Sequence, residues 1–118
     1  LVMAGVSELA IHDPDLTRRD TLIQRLASLN KAKVTAGSAD PTGMDIALNA
    51  TPIGMKTTDP TPIDVNGIHA QMFVGCVITA PAVPPLIEAA RAKGCATMTG
   101  ADMFARVRDL MVNFLIGN

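Results

Sequence analysis

The sequence predicts an α/β fold, a parallel sheet with helices on both faces, and three observations carry that reading. Short apolar runs of strand length alternate with stretches whose apolar residues recur at helical spacing. Residues 45–48 read as a buried strand that stops abruptly at Asn49, Ala50 and Thr51, where Pro52 and Gly54 forbid simple continuation as strand or helix. Residues 72–79, MFVGCVIT, form a continuously apolar run of the kind buried on both sheet faces. In open α/β sheets ligands lie beyond the carboxyl ends of the strands, so a strand ending in small hydrogen-bonding residues marks a place to look for function.

The elements follow in order. Leu1 to Ala4, closed by Gly5, read as the last turn of a helix with a glycine at its end. A short strand is expected over 8–12, stopped by Asp13 and Pro14. A helix follows over 17–29, with Asp15 or Thr17 as its cap, Leu22, Ile23, Leu26 and Leu29 on its apolar side and Arg18, Arg19, Gln24 and Arg25 mostly on its wet side. Residues 33–36 form the next strand, and 37–43 a loop rich in turn formers. After the strand at 45–48, residues 56–64 hold Pro60, Pro62, two Asp and several Thr, the composition of an irregular surface loop. Pro84 and Pro85 open a helix that carries Leu86, Ile87, Ala89 and Ala90 and ends at Lys93-Gly94. A last strand at 95–98 turns at Thr99 and Gly100 into a helix over 101–115. Its stripe of Met103, Phe104, Val107, Leu110, Met111 and Phe114 is expected to face the core.

Composition narrows the function. The 118 residues suit one domain, and ten basic against eleven acidic residues leave a net charge of −1. That balance offers no electrostatic footprint for nucleic acid or an anionic membrane, and no apolar run is long enough to span a bilayer. Cys76 and Cys95 stand apart in apolar surroundings, which favours small buried hydrophobes over a disulfide or a metal site and fits a reducing cytoplasm. His12 and His69 have no partner at ligand spacing, so no metal is expected. Met72, Met103 and Met111 read as adaptable core filler, and Asp102 and Asp109 as solvent-face residues or favourable charges near a helix start.

Asp13 has two readings. It is a turn or capping Asp, or, at the tip of a second strand, the acidic residue that accepts the adenosine ribose hydroxyls of a dinucleotide and repels a 2′-phosphate.

Three stretches carry a family resemblance: Asn49-Ala50-Thr51-Pro52-x-Gly54-Met55 after an Asp-led apolar strand, Val77-Ile78-Thr79 with Pro81 and Pro85-Leu86 beyond it, and Thr99-Gly100-x-x-Met103 opening the last helix. Together they resemble the cofactor domain of shikimate and quinate dehydrogenases, over nearly the whole sequence. The resemblance implies a Rossmann-like three-layer parallel sheet, incomplete because its first strand and the glycine-rich GxGxxG loop are not in the sequence. Residues 1–118 would be a partial dinucleotide-binding domain, truncated at its N-terminus and lacking the substrate-binding domain that holds the family's catalytic Lys and Asp. No catalytic residue is therefore assigned, and the fragment alone is expected to be inactive.

The same resemblance assigns roles by position. Asn49, Ala50, Thr51 and Pro52 line the cofactor groove, and the backbone at Val77 and Gly100 holds the nicotinamide amide. The Asn-Arg-Thr clamp of NADP-binding relatives falls on Asp13, Pro14 and Asp15, which leaves Arg18 as the only match to the basic pair and favours NAD over NADP. A substrate-contacting Tyr falls on Thr79, and a Gln that binds a substrate hydroxyl falls on Val107. Losing such a Gln from a polyol site costs discrimination, so the shikimate- or quinate-like substrate is expected to be that of a shikimate-dehydrogenase-like branch.

Removing a central first strand leaves two ladders of unpaired backbone groups. Either further chain fills the gap or a homo-oligomer does. Two other classes compete with the oxidoreductase: a non-catalytic nucleotide-binding or regulatory module, which Thr79 and Val107 favour, and a methyltransferase-type α/β domain, which the helical C-terminus from Ala101 opposes.

Overall fold

The computed structural model describes residues 1–117, which fall into two compact units, Leu1–Ala39 and the residues from Asp40 onward. In the first unit, a 3-10 turn at Val2–Ala4 is closed by Gly5, whose φ of 98° is left-handed and whose N–H reaches the Val2 carbonyl at 3.2 Å. Strand β1 (Glu8–Ile11) pairs in parallel with β2 (Lys33–Ala36), and α1 (Leu16–Ala27) is the crossover between them. The cap of α1 is Asp15, whose carboxylate accepts the Arg18 N–H at 3.0 Å. The helix stops two residues short of the expected 29, where the Ser28 hydroxyl turns back onto the Arg25 carbonyl and Asn30 takes a φ of 54°.

The second unit holds three parallel strands in the order β3 (Ile46–Asn49), β4 (Phe73–Cys76) and β5 (Ala96–Met98). Their register sets Asn49 opposite Cys76, and Gly75 opposite Met98. Helix α2 (Pro85–Ala92) joins β4 to β5 and presses Leu86, Ile87 and Ala90 onto Val74, Cys76 and Ala47. Ile87 is fully buried, which favours folding by about 2 kcal/mol. The opposite face of β3 is open, with Ile46 43% and Leu48 40% exposed.

The strand expected over 72–79 ends at Cys76. Its neighbours run out there: β3 stops at Asn49, β5 has three residues, and the last bond in line is Val77 N–H to the Asn49 carbonyl at 3.1 Å. A 3-10 turn at Val65–Gly67, capped by Asp64, follows the irregular loop. The largest correction concerns α3 (Gly100–Leu115), in which Gly100 is the sole buried residue. Phe104, Met111 and Phe114, expected in the core, are 64%, 60% and 83% exposed. Helical periodicity records which face is apolar and says nothing about whether a cover lies over it.

The start of α3 is well defined. The Thr99 hydroxyl accepts the Asp102 N–H at 3.1 Å, and the Asp102 carboxylate accepts the Thr99 N–H at 2.9 Å, a reciprocal capping box. Asp102 is thus a cap and not only a favourable charge. Thr99→Ala is expected to destabilise the unit by about 1 kcal/mol, read as a lower midpoint in urea unfolding.

Candidate functional site

The carboxyl ends of β3 and β4 and the residue after Thr99 bring six of the expected site residues together. The Asn49 amide oxygen accepts both the Thr51 N–H (3.1 Å) and the Thr51 hydroxyl (2.6 Å), so the chain turns sharply as β3 ends. Thr51 is half-buried, while Ala50 and Pro52 lie on the surface of that turn. The Val77 N–H is tied to the Asn49 carbonyl, and the Gly100 N–H donates to the Ile78 carbonyl at 3.2 Å. Gly100 lies so close to this segment that an added Cβ would stand 2.4 Å from the Val77 oxygen. Both N–H groups are thus engaged inside the fold.

Asp59 pins the loop that follows, a role the sequence reading missed. Its carboxylate accepts the Gly54 and Lys56 N–H groups at 3.0 and 3.1 Å, and these bonds hold its pKa below the usual carboxylate value. An Asp in a Pro- and Thr-rich turn is the available signal. Among the described residues every buried side-chain nitrogen and oxygen has a partner.

Thr79 lies exposed just beyond Ile78. Val107, 45% exposed, sits on α3 two turns beyond Gly100, on the same face as exposed Leu110, Met111 and Phe114. Nothing polar on that stripe could take the place of a hydroxyl-binding side chain.

In the first unit Asp13 and Arg18 meet directly. Arg18 Nε donates to Asp13 Oδ2 at 2.6 Å and Nη2 to Oδ1 at 2.9 Å, while Oδ1 also accepts the Asp15 N–H at 2.9 Å. The side chain of Asp13 is 19% exposed and that of Arg18 71%. The turn reading of Asp13 is borne out: its carboxylate shapes the turn into α1 and pairs with Arg18 just beyond β1. The Arg18 hydrogen bonds, then the Asp15 N–H, lower the Asp13 pKa from 3.8 to about 2. A depressed carboxylate contributes stability above its unfolded value and loses it as pH falls through the folded one. The start of α1 is therefore expected to loosen as pH drops from 3.8 toward about 2. The Arg18 Nε–H signal in an NMR titration should follow that step, and Asp13→Asn should remove it.

Two partial parallel sheets, β1-β2 with its crossover helix and β3-β4-β5 with α2 between β4 and β5, define a Rossmann-like α/β class of protein. No protein-family model matches the chain. It is 33% identical over 110 residues to a quinate/shikimate dehydrogenase (NAD(+)) of Corynebacterium glutamicum, a match covering 87% of this chain and 38% of the relative. It is 30% identical over 108 residues to a shikimate dehydrogenase (NADP(+)) of Rhodospirillum rubrum, with the same coverage of 87% and 38%. The solved quinate dehydrogenase from Corynebacterium glutamicum in complex with NAD matches at a TM-score of 0.76 and 31% identity, over 86% of this chain and 38% of that one. The ligand-free 5-ketofructose reductase of a Gluconobacter strain matches at 0.89 and 25% identity, over 99% and 44%. Over most of its length this chain is a homologue of the shikimate/quinate dehydrogenases and matches their NAD(P)-binding domain. It spans about 38% of the length of the relatives it matches.

Proposed function

We propose that residues 1–118 are a dinucleotide-binding part of a shikimate- or quinate-dehydrogenase-like oxidoreductase, with the substrate-binding part lying outside them. The observation that carries this is the convergence of Asn49–Pro52, Val77 and Gly100 at one carboxyl edge of a parallel sheet. Bound nicotinamide would supply the hydride, Val77 and Gly100 seating its amide and Thr79 and Val107 facing the substrate. The adenosine ribose goes to Asp13. Its carboxylate has about four acceptor positions, of which three are taken, leaving one for a ribose hydroxyl. We assign NAD over NADP because that carboxylate repels a 2′-phosphate, although relatives named for each cofactor match. The two free thiols, both buried, suit a reducing cytoplasm. Among the described residues no helix is long and apolar enough to cross a membrane.

The test is an NMR titration of the chain with NAD and NADP. Saturable shifts at Asp13, Val77 and Gly100 with NAD, and no turnover of quinate or shikimate by the chain alone, are expected. Absence of any shift at millimolar nucleotide would sink the reading.

The 0.89 TM-score against the 5-ketofructose reductase supports a second substrate reading, a keto sugar. Assaying a polypeptide of the relatives' length with 5-ketofructose beside shikimate and quinate separates the two.

A further inference from the structure

We propose that Asn49 is a positioning residue that sets the nicotinamide seat from beneath, without touching the cofactor; the proposal rests on the nucleotide-binding reading above. Asn49 is 3% exposed and has no face to offer a ligand. A side-chain amide brings two N–H donors and an oxygen with two acceptor positions, and all of them are engaged inside the fold. Nδ2 donates to the Ile53 carbonyl at 3.1 Å and meets Cys76 Sγ at 3.4 Å. Oδ1 takes the Thr51 N–H and hydroxyl, and the Thr51 hydroxyl in turn accepts the Ile53 N–H at 3.2 Å.

The Asn49 main chain works in the other direction. Its carbonyl holds the Val77 N–H at 3.1 Å. One residue therefore fixes both the turn 51–53 and the backbone of Val77, which itself lies against Gly100. The bond to Cys76 locks the same amide to the end of β4, so the side chain cannot swing away from either segment. An amide satisfied on every side and tied both to the turn 51–53 and to the end of β4 transmits geometry; it does not bind.

The experiment compares the wild-type chain, Asn49→Ala and the milder Thr51→Val by amide hydrogen exchange and by titration with nicotinamide mononucleotide and with AMP. In Asn49→Ala the Thr51 amide loses its acceptor directly, and Ile53 loses protection as the Thr51 hydroxyl is released. Val77, whose acceptor is the main-chain carbonyl that alanine keeps, is expected to lose protection because the end of β3 is no longer tied to Cys76, while the amides of α2 keep theirs. Affinity for nicotinamide mononucleotide should fall roughly tenfold or more, because buried partners are left unpaired. AMP affinity, set at Asp13, should not change. Thr51→Val should free Ile53 and leave Val77 protected. A uniform loss of protection, or a parallel fall in both affinities, would show a merely structural role and overturn the proposal. Unchanged mononucleotide affinity in Asn49→Ala would overturn it too. A wild-type chain that ignores nicotinamide mononucleotide would instead remove the nucleotide-binding reading, and the positioning role with it.

Discussion

Gly100→Ala is expected to destabilise the second unit by roughly 3 kcal/mol, the upper end of what overpacking a close contact costs. The methyl group would stand 2.3 Å from the Ile78 carbonyl oxygen, 2.4 Å from that of Val77 and 2.5 Å from the Ile78 carbonyl carbon. All three atoms are backbone, so no rotamer change relieves the clash. Either the first turn of α3 lifts away, or the segment after β4 shifts. Both outcomes break the Gly100 N–H bond to Ile78 and disturb the Thr99–Asp102 capping box beside it. Against a total stability of about 5–15 kcal/mol for a domain of this size, the loss should be plain in a urea melt. Gly54→Ala is the informative comparison. Its Cβ would approach only the Ile78 Cδ1, at 3.1 Å, a flexible tip, although its φ of 112° adds backbone strain of its own. A Gly100→Ala chain with unaltered stability would mean that α3 does not start against Val77 and Ile78.

Local signals in the sequence located the parts of the fold that local physics decides. The strand at Lys33–Ala36 and the helix opened by Pro85 fall where the residue pattern puts them, and Gly5 closes its turn in the left-handed conformation that a helix end demands. The end of β3 was legible too: small hydrogen-bonding residues followed by Pro52 halt a strand, and β3 stops at Asn49. That pattern alone suits an ordinary strand-to-loop exit, and only the family resemblance made it a candidate site. What could not be read is what depends on distant partners. The contact between Asn49 and Cys76 joins residues 27 apart, and no spacing rule foretells it. The end of β4 at Cys76 is fixed by where its neighbours stop, and its own run of apolar residues continues past it. The exposed stripe on α3 is the sharpest case, since amphipathicity was read correctly and burial did not follow. The capping box at Thr99 and Asp102 is the opposite case: its three-residue spacing is a local signal that the sequence does display.

Asp13→Ser is expected to shift the ratio of NAD to NADP affinity toward NADP by roughly 100-fold, through two effects acting in the same direction. The first is the loss of a negative charge that would otherwise face the 2′-phosphate. With its pKa lowered to about 2, the carboxylate is ionised at every pH at which the protein would be assayed, so the repulsion cannot be relieved by protonation. The second effect belongs to Arg18. In the wild-type chain its guanidinium is held by Asp13 through two bonds, at 2.6 and 2.9 Å. Serine cannot hold that fork, and the side chain, already 71% exposed, becomes free to pair with a phosphate. The two effects separate in a double variant. Adding Arg18→Ala to Asp13→Ser should remove the gain in NADP affinity while leaving NAD affinity near that of Asp13→Ser, because only the phosphate uses the freed guanidinium. Arg18→Ala alone should weaken the turn into α1 without turning preference toward NADP, since the Asp13 charge remains. Equal affinities for the two nucleotides in both the wild-type and Asp13→Ser chains would show that this end of β1 does not meet the adenosine ribose.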